Sequence, residues 1–459
     1  MSPGFDPIAE TLVTEYNKTR PLDRRDKICH APFKSLLFIP SGKAMACHYN
    51  RGHSLGQYPE SSIHDIWFGE EISKLRHYLD NKDLSYGCQN CKQNIVNKQF
   101  HTAGAWRHDY LGEAYSGYPV LIDLQIDNTC NLECAMCSGE YSSLIRKNRE
   151  KKPAYINPYD DAFIEQLDEF IPHLKGLNLT GGEPFLIETY YRILDRVKEL
   201  NPEMQIYIHT NGTVLNNKVK SYLEDLNFNF TISVDSIVKE TYEKIRVNAK
   251  LENVLANIKF FHEYTQKKES SLHVKCCVMQ DNILEIPDFM HHFNEQNISV
   301  QLKPVWFPST RSLRNRSSSV LATIVKAIGE PSLRGDTHFQ RLNIERYKEL
   351  ISQVQLWSEE AKAQPRENTD LDELTIRFFN GLEASIMSDN TLAEWEKSAK
   401  ITRCKAIGEV MIASIDNIGA RTAALRNFVN LPAEFVLAEI DRGSIDMLNA
   451  RFEQEAVID

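Results

Sequence analysis

Three cysteines, Cys130, Cys134 and Cys137, form a C-x3-C-x2-C array in the segment DNTCNLECAMCSG, directly after a β-rich run at 120–126. Thiolates are the natural ligands of a [4Fe–4S] cube, and three of them in one tight loop leave one iron open to a ligand from outside the protein. That open position would make the site chemical. A zinc site, or three packed core cysteines, would use the same spacing. A second group comprises Cys29, Cys47, Cys88 and Cys91, with a candidate hairpin spanning the first pair and a helical stretch before the C-x2-C pair. Four thiolates suit zinc or an iron–sulfur centre, and on spacing alone zinc is the favourite.

Seven of the ten cysteines in this chain of 459 residues fall between Cys29 and Cys137. In a large chain without an export signal, such clustering points to metal or redox work rather than disulfides. Residues 1–28 are polar and charged, and no apolar run approaches the length of a membrane span, so the chain reads as cytoplasmic with no membrane partner. A net charge of −10 leaves no basic footprint, so no nucleic-acid partner is expected.

The elements that must position these groups are legible as alternating periods. Strands are expected at 120–126, 176–180, 205–210, 230–235, 272–279 and 298–305, with helices at 160–171, 187–200, 216–226, 239–264 and 284–296. Six βα units in succession imply a parallel sheet, and six make a partial (β/α)6 barrel rather than a closed eight-stranded one. Before it, LLFIP and KAMAC flank the turn Ser41-Gly42 as a hairpin, and 61–79 has helical periodicity. Residues 307–337 read as a Ser/Arg-rich loop or linker, and 338–459 as a mostly helical tail, interrupted around 365–370, 417–419 and 431–432.

Further candidates stand at successive strand ends. TGGEPFL (180–186) follows the second strand, HTNGTVL (209–215) the third, Ser233 and Asp235 close the fourth, and Arg246 lies in YEKIRVN beyond it. Singly these read as turns, alternating strand residues and a surface cation. In this order after the cysteine triplet, they resemble the radical S-adenosylmethionine (SAM) superfamily. The resemblance implies that Cys130, Cys134 and Cys137 hold a [4Fe–4S] cluster whose open iron is chelated by SAM. Reductive cleavage of SAM would then yield a 5′-deoxyadenosyl radical. It further implies SAM contacts at Met136, Gly181, Gly182, Glu183, Asn211, Ser233, Asp235 and Arg246; many relatives have an aromatic residue where Met136 stands.

The text around the first cysteine group, CHAPFKSLLFIPSGKAMAC followed by SSIHDIWFGEEISKLR and GCQNC, resembles the SPASM/twitch module of the same enzymes. This implies an auxiliary [4Fe–4S] cluster fully ligated by Cys29, Cys47, Cys88 and Cys91. Most relatives place the module after the barrel; here it precedes it. The expected organisation is a lead-in (1–28), a twitch domain and linker (29–117), the partial barrel (118–306), a linker (307–337) and a helical region (338–459). Cys276 and Cys277 should point to opposite faces of the fifth strand. Cys404, in the tail, is a candidate hydrogen-atom donor or a packed thiol, and the tail is expected to cover the barrel mouth. The resemblance implies hydrogen abstraction from a peptide or protein, or else from a small alcohol or sugar, with flavodoxin or ferredoxin as electron donor.

Overall fold

The computed structural model describes residues 5–50, 53–110, 117–330, 332–363, 370–389, 392–431, 433–442 and 445–455. Each expected barrel strand forms: β4 (Leu121–Leu124), β5 (Gly176–Leu179), β6 (Gln205–Thr210), β7 (Asn227–Ser233), β8 (Leu272–Val278) and β9 (Ser299–Pro304). They pair parallel in chain order, with helices in the crossovers. Along β8, Leu272, Val274, Cys276 and Val278 are buried, while His273, Lys275 and Cys277 are half-buried. This alternation is the period of a strand with one face on the helix layer and the other on the barrel lumen.

The N-terminal hairpin is not a separate layer. β1 (Ser35–Phe38) pairs antiparallel with β2 (Lys43–Met45), which pairs with β3 (Gly56–Gln57). On its other side β1 runs parallel to β4, with Leu36 opposite Ile122 and Phe38 opposite Leu124. The result is one nine-stranded sheet in the order β3-β2-β1-β4-β5-β6-β7-β8-β9.

Four expectations are revised. The lead-in contains a helix, Glu10–Lys18, that buries Val13 and Tyr16. Just beyond it, Arg20 grips Asp109 through two hydrogen bonds of 2.7 and 2.6 Å inside the protein. The stretch 239–264 is two helices, Lys239–Ile245 and Leu251–Lys268, separated at Arg246, with Asn248 at a φ of 78°. Likewise 61–79 divides at Gly69 into Ile63–Phe68 and Glu70–Asp80. Within the expected linker, Ser318–Ile328 is a helix: Ser317 caps it, and Leu321, Ile324 and Ile328 fall on one buried face. The Ser-rich start hid that face.

The tail also divides. Helix His338–Ala363 packs on the barrel, where Asn343 accepts from Val300 N (2.8 Å) and Arg346 donates to Val300 O (2.6 Å). Tyr347, Val354 and Trp357 join the barrel core. Helices Leu371–Ser388, Glu394–Ala413, Ile418–Val429, Ala433–Arg442 and Ile445–Gln454 gather a second core around Phe378, Met411, Phe428 and Phe452, which also takes in Phe307. The expected break at 417–419 appears as Asn417 capping a helix. Of the other two, residues 365–369 and Pro432 lie outside the described residues. Among the described residues, no helix is long and apolar enough to cross a membrane.

Candidate active site

The loop after β4 carries the cysteine triplet and is fastened at both ends. At its entry Gly182 N donates to Asp127 O (3.0 Å) and Glu183 N to Thr129 O (2.8 Å). This close approach needs glycine. Gly181 has a φ of +117°, and a Cβ there would stand 2.4 Å from Asp127 O, while one on Gly182 would stand 2.1 Å from Thr129 O. Further along, Glu133 N donates to Val247 O (3.1 Å) and Ala135 N to Ile245 O (2.8 Å). Those acceptors flank the break at Arg246, so the interruption of the helix is what meets the cysteine loop.

Cys134 is buried, and Cys130 and Cys137 are half-buried. Burial pushes the Cys130 thiol up to about 11. It also raises Cys137, with the neighbouring thiols of Cys134 and Cys130 adding to the shift. Thiols gathered in this way hold their protons until a metal centre displaces them. Cys134 and Cys137, with Met136 and Arg246, form one wall of a cavity of about 430 Å³. Three thiols from one loop, two of them lining an open cavity, fit a cluster with one exposed iron.

Of the residues expected to touch SAM, Met136 and Arg246 line this cavity. Asn211 reaches the cysteine loop, its Nδ2 3.0 Å from Asn131 Oδ1 and 3.9 Å from Cys130 Sγ. Ser233 lies 3.1 Å from His209 Nε2. Burial, with Lys275 and Arg246 nearby, pushes His209 down to about 3, so this imidazole is neutral. Glu183 and Asp235 do not line the cavity, because both are fully buried and their oxygens have partners inside the protein. Glu183 accepts from Asn211 N (2.7 Å), Thr210 Oγ1 (2.7 Å) and Phe185 N (3.2 Å), and burial pushes its carboxyl up to about 7. Asp235 Oδ1 accepts from Cys277 N (2.7 Å). Its Oδ2 lies 2.7 Å from Arg246 Nε, an ion pair without hydrogen-bond alignment. These carboxylates hold the site's frame rather than face its contents.

The four N-terminal cysteines are brought together. All are buried around one small cavity that Asn50, Leu75, Leu84 and Ala105 also line. Asn50 Nδ2 donates to Cys88 Sγ (3.1 Å) and Ala31 N to Cys29 Sγ (3.4 Å). Burial raises Cys47 to about 12. It raises Cys29 too, with the thiols of Cys47, Cys91 and Cys88 adding to the shift. Among the described residues no three metal-binding side chains converge on a single ion. Four buried thiols lining one small cavity, with N–H donors already directed at Cys29, Cys47 and Cys88, fit a fully ligated iron–sulfur cluster.

The tail reaches the mouth as expected, but through Arg451 and Gln454 of its last helix. Cys404 is not there: it is 2% exposed inside the second core, on the face of its helix that also buries Gly408 and Met411. Of the three cysteines outside the two groups, the one that faces the cavity is Cys277, while Cys276 packs into the helix layer. Lys275 and Lys303 share the cavity face and were missed, although the alternation in LHVKCCVM placed Lys275 and Cys277 together.

Residues 124–288 match the radical SAM superfamily, and residues 29–92 match the SPASM iron–sulfur cluster-binding domain. A probable GTP 3′,8-cyclase of Methanocaldococcus jannaschii is 27% identical over 180 residues, covering 39% of this chain and 56% of that protein. A GTP 3′,8-cyclase of Aliarcobacter butzleri is 26% identical over 172 residues, covering 36% and 50%. The chain thus spans about half the length of these curated relatives. Streptococcus suis SuiB bound to precursor peptide SuiA is similar with a TM-score of 0.34 at 16% identity, covering 61% of this chain and 62% of that one. Native anSMEcpe with bound AdoMet and Kp18Cys peptide has a TM-score of 0.34 at 16% identity, covering 58% and 65%. The cofactors are SAM, a SAM-binding [4Fe–4S] cluster and an auxiliary iron–sulfur cluster. The chain thus carries a radical SAM domain, and a SPASM iron–sulfur cluster-binding domain precedes it.

Proposed function

We propose that the chain generates a 5′-deoxyadenosyl radical and uses it to abstract a hydrogen atom from a substrate held in the lumen of the partial barrel. The observation that carries this reading is the shared cavity: the cysteine loop, Met136 and Arg246 form one wall, and residues of β8, β9 and the last helix form the rest. Cys130, Cys134 and Cys137 would hold the SAM cluster, and Cys29, Cys47, Cys88 and Cys91 the auxiliary one. When bound, cluster and SAM together supply the radical. The protein's own residues do the positioning. Gly181 and Gly182 let the β5 turn press on the cysteine loop, Asp235 orients Arg246 beside Cys134, and Met136 offers a polarizable surface to an adenine ring. Trp306, Phe307 and the last helix cover part of the cavity, which limits quenching of a reactive intermediate.

A volume of about 430 Å³ is in the range of small-molecule sites, which favours a small substrate. A peptide is the second reading. A cleft of about 450 Å³ lies between the iron–sulfur module (Tyr49, Gln93) and the tail (Trp395, Arg403), offering a chain a surface outside the cavity.

The test is anaerobic reconstitution followed by dithionite-driven turnover of SAM alone. We expect about eight irons per chain and measurable 5′-deoxyadenosine, with Cys134→Ala reducing iron to about half and abolishing the nucleoside. Wild-type protein carrying both clusters but releasing no 5′-deoxyadenosine would overturn the reading.

A further inference from the structure

The cavity wall contains four cations, Arg246, Lys275, Lys303 and Arg451, and not one carboxylate, in a chain whose net charge is −10. Two of the four are already matched. Arg246 pairs with Asp235, and its Nη1 stands 3.9 Å from Cys134 Sγ, so it answers the thiols. Arg451 pairs with Glu439 at 3.2 Å and lies over the Phe307 ring. Lys275 and Lys303 form no ion pair within 4 Å among the described residues, although Asp235 acts on Lys275 and Glu349 on Lys303 from farther away. They occupy neighbouring strands on one face, because Lys275 is opposite Gln301 and Lys303 is opposite Cys277. Arg107, from the linker, and Arg346 add to the positive field at Lys303, and Arg107 and Arg246 to that at Lys275.

A second observation is independent of charge. From the last helix, Arg451 and Gln454 line the same cavity, and Gln454 Nε2 and Arg451 Nε are buried without a hydrogen-bond acceptor among the described residues. Buried donors without acceptors are costly, about 1–3 kcal/mol each, and such groups in a cavity mark the place of a missing acceptor. Lysines from β8 and β9 and an arginine and a glutamine from the last helix therefore line the same space.

We propose that Lys275 and Lys303, with Arg451 and Gln454 of the last helix, form a phosphate subsite that anchors a small phosphorylated substrate in the lumen. A carboxylate offers two oxygens and one charge. A phosphate monoester offers three oxygens and close to two charges, which suits two ammonium groups and two further donors. Lys275 is half-buried and Lys303 exposed; two like charges on neighbouring strands repel one another, and a dianion relieves that repulsion. Binding at β8 and β9 places the rest of the substrate toward Cys134, Met136 and Arg246 across the same cavity. This assignment of substrate class rests on the hydrogen-abstraction reading above, but its test does not.

The test is equilibrium binding of inorganic phosphate and pyrophosphate to cluster-loaded full-length protein, followed by the fluorescence of Trp306, with Trp306→Phe as the blank. Glutarate is the carboxylate arm and SAM the competitor. We expect pyrophosphate to bind more tightly than glutarate and without competition from SAM. Lys275→Ala/Lys303→Ala should lose at least tenfold in affinity, and Lys275→Arg/Lys303→Arg should stay within about threefold of wild type. Equal affinity in wild type and the alanine pair, tighter binding of glutarate, or displacement of pyrophosphate by SAM would each overturn the proposal. The arginine pair keeps the charge and guards against a folding artefact. Because binding is read without turnover, a protein that makes 5′-deoxyadenosine but ignores phosphate refutes only the subsite.

Discussion

The guanidinium of Arg246 stands 3.9 Å from the thiol of Cys134, although 112 residues separate them in the chain. The same side chain meets Asp235, whose exposure is zero. One cation therefore joins the thiol loop, the end of β7 and the break between two helices.

Removing that cation should damage fold and chemistry separately. Arg246→Met leaves Asp235 buried without a counter-charge, a change that typically costs about 3–5 kcal/mol. Asp235→Leu combined with Arg246→Met removes both charges and should recover most of that loss, while 5′-deoxyadenosine formation stays low. Thermal denaturation and a nucleoside assay on the three variants would check this. Recovery of activity along with stability would show that Arg246 acts only as a partner for Asp235.

The iron–sulfur module should be separable from SAM cleavage. Cys88→Ala removes one of four ligands around the N-terminal cavity and does not touch the loop at 130–137. We expect about half the iron to remain, with 5′-deoxyadenosine still formed from SAM and product formation lost. Equal loss of both activities in a folded variant would contradict it.

The last helix should loosen as pH rises. Glu455 is buried against Ser309, accepting from both its backbone N–H (2.5 Å) and its hydroxyl, and burial pushes its carboxyl up to about 8. A carboxyl whose folded value lies above its unfolded one contributes stability fully below about 4.5 and loses it as pH climbs through about 8. The difference in unfolding free energy between wild type and Glu455→Gln should therefore shift against wild type between pH 5 and 8, as read by denaturant melts. A difference that is flat across that window would exclude the titration.

Truncation should show where the tail begins to matter. A chain ending at 337 loses Tyr347, Val354 and Trp357 from the barrel core and should be insoluble. One ending at 363 keeps them and loses Arg451 and Gln454 from the cavity wall. We expect the longer form to bind both clusters but to uncouple SAM cleavage from product formation. Coupled turnover in that form would mean that the last helix contributes nothing to the cavity.

The strand ends and their order were legible because β-branched runs alternate with helical ones, and the cysteine spacings were legible as ligand sets. Side-chain partners were not. Glu183 and Asp235 stand at the right strand ends, yet whether a carboxylate faces a cavity or the backbone behind it depends on the neighbouring loop, which periodicity does not describe. Cys404, read as a hydrogen-atom donor or a packed thiol, lies in the second core, and one thiol on a helix carries no sign of which core its face will enter. Cys277 was the better candidate for the cavity, since adjacent residues on a strand must face opposite ways. The parallel pairing of β1 with β4 bridges distant segments, and nothing local in LLFIP specifies it.

That pairing has a mechanical consequence. Lys34 O receives Val120 N (2.8 Å) and Phe38 O receives Gln125 N (2.9 Å), so the ladder continues past both ends of the strand pair. Cys29 lies a few residues before β1 and Cys130 a few residues after β4. A hinge between the two iron–sulfur sites would have to tear a sheet. The span between the two cysteine groups is therefore set by backbone ladders, and an electron passing between clusters held there would cross a constant distance, at a rate that should not change with solvent viscosity.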